Sequence, residues 1–332
     1  MVCYKNVFKI VAIFCLFLVL YIIKVEAIAI GPDKYFLVSD NSEQIQEILK
    51  VYADQNLQGP TTFYLSVQSM KKVGEEDDRI FAIPNKNELS DISNNIKLSV
   101  TQITIKPGET LDIPWTYTSN KLNSCGTNLA AIVLSNNISD SSTTGESAVQ
   151  IEYDVIAQIH IEIKKLNNIS CDNSSKLELI EFYLDQNTTI FDYTDKKFIT
   201  KVSNNGNVIY REPSGTIEIT GFGTKNTIQF NPEKLDIYPN STRKFTNIWQ
   251  DENYPKDNLL SQIFYEFSNL RIGKYQAELI LINETGKPIN GIVDFWIIPW
   301  KIIIIIVLFL TSVVLIIKKF KSRNSRKKNL LQ

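Results

Sequence analysis

Ile103-Thr-Ile-Lys-Pro-Gly-Glu-Thr-Leu-Asp-Ile113 aligns with Leu235-Asp-Ile-Tyr-Pro-Asn-Ser-Thr-Arg-Lys-Phe245, placing Pro107 on Pro239 and Thr110 on Thr242. Each block reads as a strand, a tight turn and a return strand, because proline presets φ and Gly108 or Asn240 tolerates a positive value. Further along, Gly126-Thr-Asn-Leu-Ala-Ala-Ile-Val-Leu-Ser-Asn136 matches Gly273-Lys-Tyr-Gln-Ala-Glu-Leu-Ile-Leu-Ile-Asn283. Upstream, residues 51–67 and 202–219 both run strand, Asn-rich turn, proline, strand. Three blocks in the same order in two halves of the chain describe an internal repeat.

Around these blocks apolar and polar residues alternate at Phe63–Val67, Lys97–Ile105, Leu129–Leu134, Gln150–Ile163, Thr216–Ile219 and Gln276–Ile282, with Asn, Asp, Ser and Gly clusters between. Period-2 runs at such spacing predict a mainly β chain of two tandem β-sandwiches, at 28–165 and 176–296, joined by a linker at 166–175. Ser42–Tyr52 carries Ile45, Ile48 and Leu49 at helical spacing, but its counterpart in the second half favours a strand ending at Tyr52. Pro107 and Gly126 are 19 residues apart, whereas Pro239 and Gly273 are 34 apart. The second copy therefore holds an insertion near Asp251–Leu270, with Tyr254, Phe264, Tyr265 and Phe267. Those aromatics form either an exposed contact surface or the insertion's own small core.

The two ends differ from this middle. Lys5 and Lys9 precede an apolar run from Ile10 to Ile23, followed by Val25 and Ala27 at signal-peptidase spacing. Fourteen residues of helix rise only about 21 Å, short of the hydrocarbon core. Residues 1–27 therefore read as a signal peptide cleaved after Ala27, the alternative being an uncleaved anchor. At the other end, 297–317 is apolar except for Lys301, Thr311 and Ser312, and reads as a transmembrane helix. Trp296 and Trp300 stand where an interfacial aromatic belt belongs, and the Lys301 stem is placed to snorkel. Lys318, Lys319, Lys321, Arg323, Arg326, Lys327 and Lys328 make 318–332 a basic tail, which the positive-inside rule sets on the cytoplasmic side. The expectation is a single-pass plasma-membrane protein with its N-terminal part outside.

Of 35 basic and 36 acidic side chains, three basic and one acidic lie in residues 1–27 and eight basic ones in 301–332, which leaves residues 28–300 with a net of −11. An acidic body argues against nucleic acid or anionic lipid as its ligand. Of the four cysteines, Cys3 and Cys15 fall in the leader, so Cys125 and Cys171 are the pair available for one disulfide in an oxidising compartment. Two separate thiols are the alternative. The strand from Gly126 and the segment Gln150–Ile163 read as a hairpin closed by the polar loop Asn137–Glu146, and a bridge at its base is sterically sensible.

Catalytic signatures are scarce. The single histidine, His160, lies on an alternating strand in Ala157-Gln-Ile-His-Ile-Glu162 and reads as a strand side chain. Glu75-Glu-Asp-Asp78 lacks the alternating ligands and glycine of a calcium loop. A phosphate-binding glycine loop, a nucleophile elbow and a CxxC pair are all missing from the sequence. Sequons at Asn137, Asn168, Asn173, Asn187, Asn240 and Asn283 matter only in a eukaryotic secretory route.

An opening strand Ile30-Gly-Pro-Asp-Lys-Tyr-Phe36, Pro-Gly-Glu-Thr at 107–110, a Gly-x-x-x-Ala-Ala-Ile strand at 126, Asn-Asn-Gly-Asn at 204–207, Pro-Ser-Gly at 213–215, Pro-Asn-Ser-Thr-Arg at 239–243 and a Trp-Ile-Ile-Pro-Trp-Lys membrane entry at 296–301 occur in one order. Together they resemble the WxL-interacting cell-surface proteins of Gram-positive and related bacteria, across nearly the whole chain after the leader. The resemblance implies a signal peptide, two immunoglobulin-like domains and a C-terminal membrane helix. It further implies peptidoglycan binding by the first domain and binding of partner or host proteins by the second. No binding residue of that family maps onto a motif here, so architecture and role are implied without sites. The turn signatures are shared with other sandwich proteins, including pilus chaperones. The function expected is non-catalytic: a membrane-anchored surface protein that binds a cell-wall polymer or surface proteins, with no cofactor, nucleic acid or small-molecule substrate. A membrane-held, chaperone-like assembly factor is the alternative, and a wall hydrolase stands third.

Overall fold

The computed structural model describes residues 28–40, 44–72, 74–76, 79–82, 91–119, 124–136, 154–166, 169–191, 193, 195–256 and 258–329. The signal-peptide reading of 1–27 and the loop Asn137–Glu146 lie outside these residues. The chain separates into two compact units divided between Ser174 and Ser175, with the short 74–76 stretch belonging to the second. It is mainly β, sandwich-like in both units, and ends in one apolar helix.

In the first unit the strands are β1 (Ile28–Gly31), β2 (Lys34–Asp40), β3 (Gln44–Ala53), β4 (Thr61–Lys72), β5 (Arg79–Ala82) and β6 (Ile96–Leu98). They continue as β7 (Gln102–Ile105), β8 (Thr110–Thr118), β9 (Gly126–Ser135), β10 (Asp154–Leu166) and β11 (Ile169–Ser170). One sheet has the order β1-β3-β8-β6; the other runs β11-β10-β9-β4-β5, with β2 beside β10 and β7 beside β4. Leu49, Val51, Ile113, Trp115 and Tyr117 from the first sheet meet Ile105, Ile132, Leu134, Ile159 and Ile161 from the second in one buried cluster. The Tyr35 and Trp115 rings meet edge to face at 5.1 Å. Alternation along each strand places every second side chain in this core.

The segment expected as a strand ending at Tyr52 is β3, which begins at Gln44 and ends at Ala53. Three other expectations are corrected. The Ile30–Phe36 segment is two strands in two sheets, β1 antiparallel to β3 and β2 parallel to β10, because Pro32 has no N–H to extend a ladder. Pro107 and Gly108 do form a tight turn, with Gly108 at φ +72° and Glu109 N–H donating to Lys106 O at 3.0 Å. Its strands do not pair with each other: β7 joins β4 and β8 joins β3, so the turn carries the chain between sheets and both strands face one core. Of the linker expected at 166–175, the described residues 166 and 169–174 belong to the first unit, since β11 pairs with β10 and Cys171 N–H donates to Lys164 O at 2.8 Å.

The second unit comprises β12 (Leu177–Leu184), β13 (Lys196–Asn204), β14 (Gly215–Gly221), β15 (Thr224–Phe230), β16 (Ser241–Trp249), helix α1 (Leu259–Ser268), β17 (Gly273–Ile282), β18 (Pro288–Ile297) and helix α2 (Trp300–Asn329). The sheets β12-β13-β16 and β15-β14-β17-β18 enclose Phe198, Val202, Ile217, Phe230, Phe245, Trp249, Tyr275 and Phe295. β12-β13-β16 corresponds to β1-β3-β8, and β14-β17-β18 to β4-β9-β10, which is the sequence repeat written as topology. The insertion of the second copy contains α1, capped by Asn258, whose side chain accepts from Leu260 N–H at 3.0 Å. Trp300–Phe320 within α2 is long and apolar enough to cross a membrane. The helix begins at Trp300 rather than at Ile297, because Ile297 ends β18, paired with Gly273 and fully buried in the sandwich.

Candidate functional site

The end of the second unit that leads into α2 carries a polar cluster built from the insertion. β16 ends at Trp249, and the chain then turns at Asp251, whose carboxylate accepts from Asn253 N–H at 3.2 Å. The same carboxylate accepts from Tyr265 Oη at 2.9 Å and from Arg271 Nη2 at 2.7 Å. That guanidinium lies 4.9 Å from the Trp249 ring and 5.5 Å from the Tyr193 ring, so its apolar faces are covered while its edge is paired. Tyr193 donates to the carbonyl of Asn269, closing the end of α1. Burial pushes the hydroxyls of Tyr193, Tyr254 and Tyr265 above the ordinary phenol range, so all three remain neutral donors.

Helix α1 is amphipathic with an unusual polarity. Gln262 and Glu266, four residues apart, share its inner side, and Glu266 is 1% exposed. A buried carboxylate needs a cation and donors, and both arrive from outside the helix. Lys301 Nζ lies 2.9 Å from Glu266 Oε1, 2.8 Å from Gln262 Oε1 and 2.7 Å from the Tyr254 hydroxyl, and Tyr254 donates to Glu266 at 2.7 Å. The outer side of α1 is apolar: Leu260, Phe264 and Phe267, at i, i+4 and i+7, are 63%, 71% and 73% exposed. Beside the start of α2 lies a cleft of about 570 Å³, lined among others by Asp185, Phe191, Tyr193, Lys197, Tyr254 and Trp300.

The sequence-predicted residues distribute as follows. Cys125 and Cys171 are bonded, with Cα atoms 5.6 Å apart, at the base of the β9–β10 hairpin. Trp296 and Trp300 are exposed at the end of β18 and the start of α2. The Lys301 amine turns toward α1 and is held there by Glu266. Lys318 and Lys319 are exposed on α2; Lys321, Arg323, Arg326, Lys327 and Lys328 fall on its last turns. His160 is buried on β10 with its ring 4.7 Å from Phe36, and desolvation, with Lys34 and Arg79 nearby, lowers its pKa to about 3.

The insertion aromatics divide between the two sides: Tyr254 and Tyr265 are partly buried with their rings edge to face at 5.7 Å, while Phe264 and Phe267 are exposed. The sequence reading missed Glu266, Gln262, Asp251 and Arg271. Their signal was the four-residue spacing of Gln262 and Glu266 against the apolar 260, 264, 267 stripe, a helical period inside an otherwise β text. Chemically, the polar atoms of this cluster are engaged with one another, which suits holding α2 to the sandwich rather than activating a nucleophile. Among the described residues no group of three or more His, Cys, Asp or Glu side chains is placed to hold a metal ion.

No protein-family model and no curated protein matches the chain. Solved structures of similar fold include the class 5 fimbriae chaperone CfaA, 14% identical over 82% of this chain and 100% of that one, with a TM-score of 0.36. The Escherichia coli chaperone DraB is 12% identical over 82% and 97% at 0.33, and the Pseudomonas aeruginosa CupB2 chaperone 12% over 78% and 96% at 0.33.

Proposed function

We propose that the protein is a non-catalytic, single-pass membrane-anchored surface protein whose two sandwiches present binding faces for a cell-wall polymer or surface proteins. The observation that carries this reading is the junction at Ile297–Trp300. The last strand of the second sandwich passes, through Ile298 and Pro299 alone, into a helix whose apolar side chains from Ile303 to Ile317 are largely exposed. Such a surface is at home in lipid. The basic residues from Lys318 onward support a cytoplasmic C-terminus and an outer position for both units. The resemblance of the turn motifs to the WxL-interacting proteins supports peptidoglycan as the polymer.

The experiment is retention of the purified chain, in detergent, on insoluble peptidoglycan, beside a solubilised surface-protein extract. Saturable retention that disappears when residues 28–174 are deleted is the expected result. Capture of an exported client protein with no retention on the wall replaces this reading with the assembly-factor one.

A further inference from the structure

We propose that α1 is an interfacial helix: its Leu260, Phe264 and Phe267 stripe enters the headgroup and acyl boundary of the leaflet that α2 enters, seating the base of the second unit on the lipid. The inference rests on the membrane-spanning reading of α2 and adds a second membrane contact to it.

Three observations carry it. The first is the inverted amphipathicity of α1, which keeps Gln262 and Glu266 inward and turns two phenylalanines and a leucine, each more than 60% exposed, outward. A helix whose apolar stripe faces away from its own domain, with no charged side chain along that stripe, has the pattern of a helix lying in an interface. The second is position along the chain. Lys301, one residue after the exposed apolar surface of α2 begins at Trp300, is bonded to Glu266 and Gln262, so α1 is fixed at the level where α2 leaves the sandwich. The third is continuity. Trp296 and Trp300 are exposed at that same level, and tryptophans of this kind favour the headgroup layer. The occupant that suits all three is the lipid leaflet, which begins where the exposed apolar side chains of α2 begin. The clamp gives this geometry a purpose: with α1 and α2 both in contact with lipid and ion-paired to each other, the unit is held at a set orientation to the membrane instead of swinging on one helix.

The test uses the full chain, with Cys3 and Cys15 replaced by serine and the Cys125–Cys171 bridge kept oxidised, in phosphatidylcholine vesicles. A single environment-sensitive fluorophore is placed at Phe264→Cys, at Leu310→Cys within α2, or at Thr227→Cys on β15. Lipids carrying a quencher near the headgroup or deep in the acyl chain report depth. The expected result is about a twofold loss of emission at position 264 with the shallow quencher, loss at 310 with the deep one, and none at 227. Quenching at 310 without quenching at 264 overturns the interfacial helix and leaves the anchor standing. Blue-shifted emission at 264 that lipid quenchers do not touch means a protein covers the stripe, a second copy included, and also overturns it. Absence of quenching at both 264 and 310 removes the spanning reading and this inference with it.

Discussion

Lys301 of α2 and Glu266 of α1 form an ion pair at 2.9 Å across 35 residues of chain, with the carboxylate 1% exposed. The pair joins a helix of membrane-spanning length to the sandwich that precedes it. Removing one partner leaves the other buried and uncompensated, which costs about 3 kcal/mol. Glu266→Ala and Lys301→Met should each lower the stability of the second unit by that amount, and Glu266→Leu combined with Lys301→Met should recover most of it. Denaturant unfolding of the full chain in detergent, followed at Trp249, Trp296 and Trp300, checks this; a double variant no more stable than the singles counts against the pair.

His160 makes the first unit sensitive to acid. Its pKa falls from 6.5 to about 3 on folding, chiefly through desolvation. The unfolded chain therefore binds one more proton than the folded one between those values. The stability contribution is complete above pH 6.5 and is lost as pH falls toward 3. At pH 5 the loss is about 2 kcal/mol relative to neutrality. Hydrogen exchange of the β9 and β10 amides at pH 7 and pH 5, corrected for intrinsic rates, should record that difference in the native chain and not in His160→Leu. An equal pH slope in both would remove His160 as its source.

The Cys125–Cys171 bridge spans 46 residues. Chain-entropy reasoning gives about 4 kcal/mol for a loop of that length. Replacing both cysteines by serine should destabilise the first unit by up to that amount and leave the second unchanged. Unfolding curves with and without reductant are the measurement, and equal shifts in both units would contradict a local role.

Gly215 opens β14, opposite Leu281 of β17. A Cβ there would collide with the backbone carbonyl oxygen of Ile280, which cannot swing away as a side-chain tip can. Gly215→Ala should cost about 1–3 kcal/mol of the second unit's stability. Its midpoint denaturant concentration, compared with that of Gly223→Ala, separates crowding from backbone effects, because the space at Gly223 is open and its φ is +71°.

Much of the architecture is legible in short-range pattern. The alternation in Gly126–Asn136 and Gly273–Asn283 became β9 and β17, the central partners of β10 and β18. Most of the apolar stretch expected at 297–317 became α2, which begins at Trp300. Period alone left more open around Pro107: it marks a turn between two strands but not which strand lies beside each, and β7 and β8 parted into opposite sheets.

By itself the chain's text determined the strands, the turns and the apolar C-terminal helix, each of which depends on residues within about ten positions of one another, and the two-fold repeat, which is a match of such local patterns between the halves of the chain. Tertiary structure alone decided that Pro32 splits the opening segment between two sheets, that Lys301 turns inward to Glu266, and that Phe264 and Phe267 face outward. Those outcomes depend on partners tens of residues away. Burial of Glu266 required a cation, and α2 delivered it, which set the rotation of α1 and with it the face that the protein presents.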